Sequence, residues 1–80
     1  LPTVFRHGTD RFFFYSNEGD PREPVHVHVE GLGGRAKTWM RPDVAMASSA
    51  GYDRRRLAEL LFVARGRRAE IERAWDEHFR

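Results

Sequence analysis

The chain has 80 residues, with 14 Lys and Arg against 12 Asp and Glu, a formal net charge of +2 and no cysteine. A chain this short makes one domain with a small core, since it buries only about 60% of the surface its unfolded form exposes. Disulfides and thiolate zinc sites are excluded, no apolar run approaches the roughly 20 residues of a membrane span, and no signal-peptide pattern opens the chain, so we expect a soluble, cytoplasmic protein without a membrane partner.

Thr3 to His7 has strand character, and Gly8-Thr9-Asp10 reads as a short turn into a second strand, Arg11 to Ser16. Aromatics occupy both faces of that second segment, Phe12 and Phe14 on one and Phe13 and Tyr15 on the other. A strand covered on two sides is therefore expected. Asn17 to Pro24 is a polar loop rich in turn formers. Val25-His26-Val27-His28-Val29-Glu30 follows, and strict alternation on a strand puts the three valines on one face and His26, His28 and Glu30 on the other.

Gly31-Leu32-Gly33-Gly34 makes a tight connection to a strand over Arg35 to Met40, ended by Pro42. If Glu30 pairs with Arg35, then Val29 faces Ala36, Val27 faces Thr38 and Val25 faces Met40, which forms one apolar surface. On the other face His28 lies across from Lys37 and His26 across from Trp39. Asp43 to Gly51 consists of small, weakly patterned residues, compatible with a short strand or turn near Val44 to Met46.

Asp53 is the expected N-cap of a C-terminal helix over 53–79. Leu57, Leu60, Leu61, Ala64, Ile71, Trp75 and Phe79 follow a 3.6-residue period and form its apolar stripe. An unbroken helix of this length would run about 39 Å, whereas a domain of this size has a radius of gyration near 12 Å. Gly66 is the place for a bend or a two-helix hairpin, and because the stripe keeps its phase there, one bent helix is favoured. The fold class predicted is α+β: an antiparallel sheet of about four strands over 1–46, packed on a long C-terminal helix.

Charge is unevenly placed. Residues 1–52 balance six basic against six acidic side chains, whereas 53–68 hold six arginines against Asp53 and Glu59, a local +4. Arg54, Arg55, Arg56, Arg65, Arg67 and Arg68 could contact phosphates, yet Arg55 with Glu59, Arg67 with Glu70 and Arg68 with Glu72 also fit helical ion pairs on a solvated face. Phe62 falls opposite the stripe and is expected at the surface.

Three chemistries fit the histidine strand. A divalent metal could use His26 and His28 with Glu30 or His78, since imidazoles two apart on a strand face one way. Acid–base catalysis could use His26 or His28, with Lys37 or Arg35 steadying a phosphate. Recognition of a partner needs no more than an exposed polar and aromatic face: Arg35, Lys37 and Trp39, joined by Arg54, Arg55, Arg56 and Phe62 on the helix.

The ordered set of pieces resembles a small bacterial family, domain of unknown function 4160. The resemblance is carried by the Pro-Thr-Val start, the aromatic run leading into Ser16-Asn17-Glu18-Gly19 and the Pro-x-His-x-His segment Pro24 to His28. The Gly-rich turn, the strand ending in proline, the capped helix and the closing Ala74-Trp75-x-x-His78-Phe79 complete it. It covers nearly the whole chain, and Gly66 departs from the polar helix former expected there. What the resemblance implies is a protein encoded beside another small protein, in an arrangement like a toxin–antitoxin pair. Our expectation is an interaction module with a protein partner encoded nearby. The alternatives are an RNA-cleaving or metal-dependent hydrolytic toxin centred on His26 and His28, and a nucleic-acid-binding regulator. Self-association is compatible with all three.

Overall fold

A computed structural model describes residues 3–16 and 23–79. The polar loop expected over Asn17 to Pro24 therefore lies mostly outside the described residues, as do Asn17, Glu18 and Gly19 of the aromatic run's continuation. Five strands form one antiparallel sheet: β1 (Thr3–His7), β2 (Asp10–Phe13), β3 (His26–Gly31), β4 (Gly34–Trp39) and β5 (Ala45–Ala50). They lie side by side in chain order. Two helices follow, α1 (Arg54–Gly66) and α2 (Arg68–Phe79).

The hairpin of β3 and β4 has the register that the alternation predicts, with Val29 on Ala36, Val27 on Thr38, His28 on Lys37, His26 on Trp39 and Glu30 on Arg35. Its turn is tighter than expected, since Gly31 pairs with Gly34 and only Leu32 and Gly33 lie between. Beyond the strand ends Met40 N–H donates to Val25 O at 2.8 Å, extending the same register. Val27, Val29, Ala36 and Met40 are buried with Phe5, Phe12 and Phe14 from the first hairpin and Leu60, Ala64, Ile71 and Trp75 from the helices. The helices thus cover the valine face, and the stripe read from the sequence is the buried one. Asp53 caps α1, its carboxylate accepting from Arg56 N–H at 2.8 Å.

Two expectations are corrected. The sheet has five strands and reaches Ala50, because Ala45–Ala50 pairs along β4 from Trp39 to Arg35. As an edge strand it is largely exposed, so no alternation marks it in the sequence. The C-terminal helix is also not a single long element: it breaks at Arg67, whose backbone leaves the helical region at φ −116° and ψ 24°. An unbroken helix of about 39 Å would outrun the 34 Å long axis of the molecule. The break keeps Ile71 and Trp75 on the sheet while the stripe continues in phase. Among the described residues no helix is long and apolar enough to cross a membrane.

Candidate functional site

The sheet face turned away from the helices is built from rows that the registers dictate. Phe13, His28, Lys37 and Ser48 line up across four strands, and Arg11, Glu30, Arg35 and Ala50 form the next row. His26, Trp39 and Ala45 make a third. Aromatic rings fill the centre: Tyr15 meets His28 edge-on at 4.6 Å between ring centroids and Phe13 at 5.1 Å. Phe13 is only 2% exposed, because Tyr15, His28 and the Arg11 guanidinium, 4.2 Å above its ring, cover it. Of the aromatics expected on both faces of the second strand, Phe12, Phe13 and Phe14 are buried, whereas Tyr15, beyond the end of β2, is exposed.

Cations border this cluster. Lys37 Nζ lies 4.4 Å from the centre of the Trp39 ring and 3.1 Å from Glu23 Oε1. Arg35 is exposed beside Glu30. Between them the face is concave, with a cavity of about 370 Å³ walled by Phe13, Tyr15, His28, Glu30, Arg35 and Lys37 and floored toward β5 by Ser48 and Ala50. That volume falls at the lower end of small-molecule sites, roughly 300–1,000 Å³.

His26 does not share this exposure. It is 0% exposed, its ring packed 5.0 Å from Trp75 and 5.5 Å from Trp39 between centroids, and Nδ1–H donates to Pro24 O at 2.9 Å. A histidine enclosed at the end of the sheet acts as a packing residue, so the expectation that both histidines present imidazoles on a wet face holds only for His28, which is half-buried. The four proposed metal ligands do not assemble either. His78 belongs to α2, where it packs on Phe79 and Phe14, and among the described residues no three His, Asp or Glu side chains come together in a way that would hold an ion.

The proposed helix contacts divide in two. Arg54 and Arg55 are exposed at the start of α1, and Phe62 is 75% exposed on the same helix. All three belong to the layer across the sheet from Trp39 and Lys37. Arg56 turns inward instead. Its guanidinium is ion-paired with Asp10, a carboxylate that is 1% exposed, and with Glu59 at 2.9 Å. Glu59 accordingly pairs with Arg56 and His7, the latter at 2.8 Å, where the sequence had suggested Arg55. The pairs Arg67 with Glu70 and Arg68 with Glu72 are present, at 2.8 Å each.

Sequence reasoning missed the corner around Asp10, which it read only as a turn residue. Three connections meet there, and Tyr52 O–H donates to Asp10 Oδ1 at 2.6 Å. Burial, reinforced by that hydrogen bond and by the Asp10 charge, pushes the Tyr52 hydroxyl's pKa above its ordinary value. Gly31 is required by space, since a Cβ would overlap the Asp10 carboxylate and press on Thr9 O at 2.9 Å. The available signal was the density of glycines from Gly31 to Gly34, facing a polar turn and a tyrosine placed just before a helix cap.

Residues 11–76 match the family described as Domain of unknown function (DUF4160). The chain belongs to that family. No curated protein and no solved structure matches it. The DUF4160 match runs from Arg11 of β2 through most of α2, and so takes in the open face and the hairpin of β3 and β4, with Asp10 one residue before its start.

Proposed function

We propose that this DUF4160 chain is a small bacterial interaction module, one half of a toxin–antitoxin-like two-gene pair, and that the open sheet face meets its protein partner. The observation that carries this reading is the face itself: aromatic rings and cations, Tyr15, Trp39, Lys37 and Arg35, stand on the side of the sheet that the helices leave uncovered. Aromatic and arginine side chains are the residue types that anchor protein interfaces, because they bury large area and still offer polar contacts. Catalysis draws less support. His26 is enclosed and hydrogen-bonded to backbone, so of the two histidines on which the hydrolytic alternative was centred only His28 borders the open face.

Co-expression with the product of the neighbouring gene tests the proposal. We expect the two to purify together, and Trp39→Ala or Lys37→Glu to weaken the complex by about 2 kcal/mol, roughly thirtyfold in Kd. Phe62→Ala, on the helical layer, should leave it intact. If the neighbour fails to copurify, or if Phe62→Ala releases it while the sheet-face variants do not, the proposal is wrong. Growth arrest by the chain expressed alone and relieved by His28→Ala would instead favour the RNA-cleaving toxin.

A further inference from the structure

We propose that the outer edge of β5 takes up an extended acidic segment of the protein partner as a sixth strand, a proposal that rests on the reading of this chain as a protein-binding module. Among the described residues β5 ends the sheet, with β4 on one side and no further strand on the other. An edge strand presents a row of backbone N–H and C=O groups, and natural sheets usually protect such rows with charge, proline or a covering element. The opposite edge, β1, carries Arg6 and His7, and His7 is tied to Glu59 of α1. Among the described residues β5 has no such protection: Ala45-Met46-Ala47-Ser48-Ser49-Ala50 holds neither charge nor proline, and all but Met46 are exposed.

The pairing with β4 says which part of the edge is regular. Met46 pairs with Thr38 and Ser48 with Lys37, so Ala47 is the extra residue of a bulge, and Ser48–Ala50 forms an undisturbed stretch beside Lys37 and Arg35. Bulges bend a strand locally but leave the flanking ladder intact. An added strand would therefore find its backbone partners along Ser48–Ala50.

Charge decides the occupant. Ser48 and Ala50 are short and share the open face with Lys37 and Arg35, their cross-strand partners; Lys37 already holds Glu23 at 3.1 Å, so the exposed Arg35 beside Ala50 contributes most to the choice. Strands lie about 4.8 Å apart, so a residue aligned with Ser48 or Ala50 on a sixth strand would sit roughly 10 Å from the Lys37 or Arg35 backbone. The combined reach of a long cation and a glutamate spans that gap above the two short side chains. The segment's other side chains would fall on the helical side, beside Met46 at the margin of the core, where apolar residues fit. The recognised sequence is thus an alternation of acidic and apolar residues, bound by strand addition. A second copy fits worse, because β5 offers no carboxylate to answer the cations of its mate.

Amide hydrogen exchange on the whole chain tests this, with two synthetic probes of about ten residues, one alternating Glu with Val and one alternating Lys with Val. The acidic peptide should slow exchange within Ser48–Ala50 by about tenfold and leave β1 unchanged, whereas the basic peptide should protect neither edge. Arg35→Glu should reverse the preference; the comparison of the two peptides on the unaltered chain decides the matter even if that variant folds poorly. Absence of protection, equal protection by both peptides, or protection of β1 would overturn the proposal. So would protection of β5 that grows with protein concentration in the absence of peptide, which assigns the edge to a second copy. Such failures leave the copurification result standing, since a partner can rest on the open face without adding a strand.

Discussion

At the scale of single residues, the fate of a polar side chain depends on what closes over it. Asp10 follows a Gly-Thr turn and His26 belongs to an alternating strand, and both patterns ordinarily face water. Both are buried, Asp10 under Tyr52 and Arg56 and His26 against Trp75. A buried carboxylate must be answered by hydrogen bonds and charge, and removing one partner of such a pair costs more than the pair itself contributes. Tyr52→Phe should accordingly lower stability by about 1 kcal/mol and Asp10→Ala by more, since Asp10→Ala leaves the buried Tyr52 hydroxyl without its acceptor. In urea unfolding the double variant should lose little more than Asp10→Ala alone, because both changes break one network. Strict additivity would mean that Tyr52 and Asp10 act independently.

Among the elements, the β3 and β4 hairpin was legible down to its register because alternation leaves one pairing that buries all the valines. The N-cap and the apolar stripe of the helical region were equally legible, since capping and periodicity are local properties. β5 was not, because an edge strand exposed along most of its length needs no apolar face and takes its identity from β4. The helix break was half-read: glycine marked the neighbourhood, but the residue that leaves helical geometry is Arg67, whose guanidinium lies 3.5 Å from the centre of the Phe5 ring and whose Nε is 2.8 Å from Glu70. Two glycines therefore respond oppositely to substitution. At Gly66 an added Cβ meets nothing within 4 Å, so Gly66→Ala should stabilise by about 0.5–1 kcal/mol, read as a rise in melting temperature. Gly31→Ala, driven into Asp10, should lower it.

For the whole molecule, the join between helices and sheet is polar at one end. Glu72 of α2 accepts from Arg68 Nε at 2.8 Å and from Arg41 Nε, beyond β4, at 2.7 Å, while Arg68 Nη2 donates to Pro42 O at 3.0 Å. Burial pushes the Glu72 carboxyl's pKa up, but the hydrogen bonds and charges of Arg41 and Arg68 outweigh it and hold the group below the usual carboxylate range. A carboxyl with a lowered folded pKa stabilises the fold above its unfolded value, and that stabilisation disappears as pH falls through the folded value. Glu72→Gln should therefore cost about 1 kcal/mol at neutral pH, some 4–8 °C in melting temperature for a domain of this size. The gap from the unaltered chain should narrow below about pH 4; a gap that stays constant through acid would show that Glu72 is not the group responsible.

Local pattern determined how β3 meets β4, where α1 is capped and which helix face is apolar, because each depends on neighbours a few residues away. The candidate recognition face was half visible for the same reason: the placement of His28, Lys37 and Trp39 on one face follows from one hairpin. Only the tertiary structure decided that Phe13 and Tyr15 join that face, that His26 is enclosed, that Arg56 is drawn onto Asp10 and that Asp10 anchors a corner. Those outcomes depend on which residues distant in the chain close over a side chain, and that depends on packing in three dimensions, which alternation and spacing do not encode.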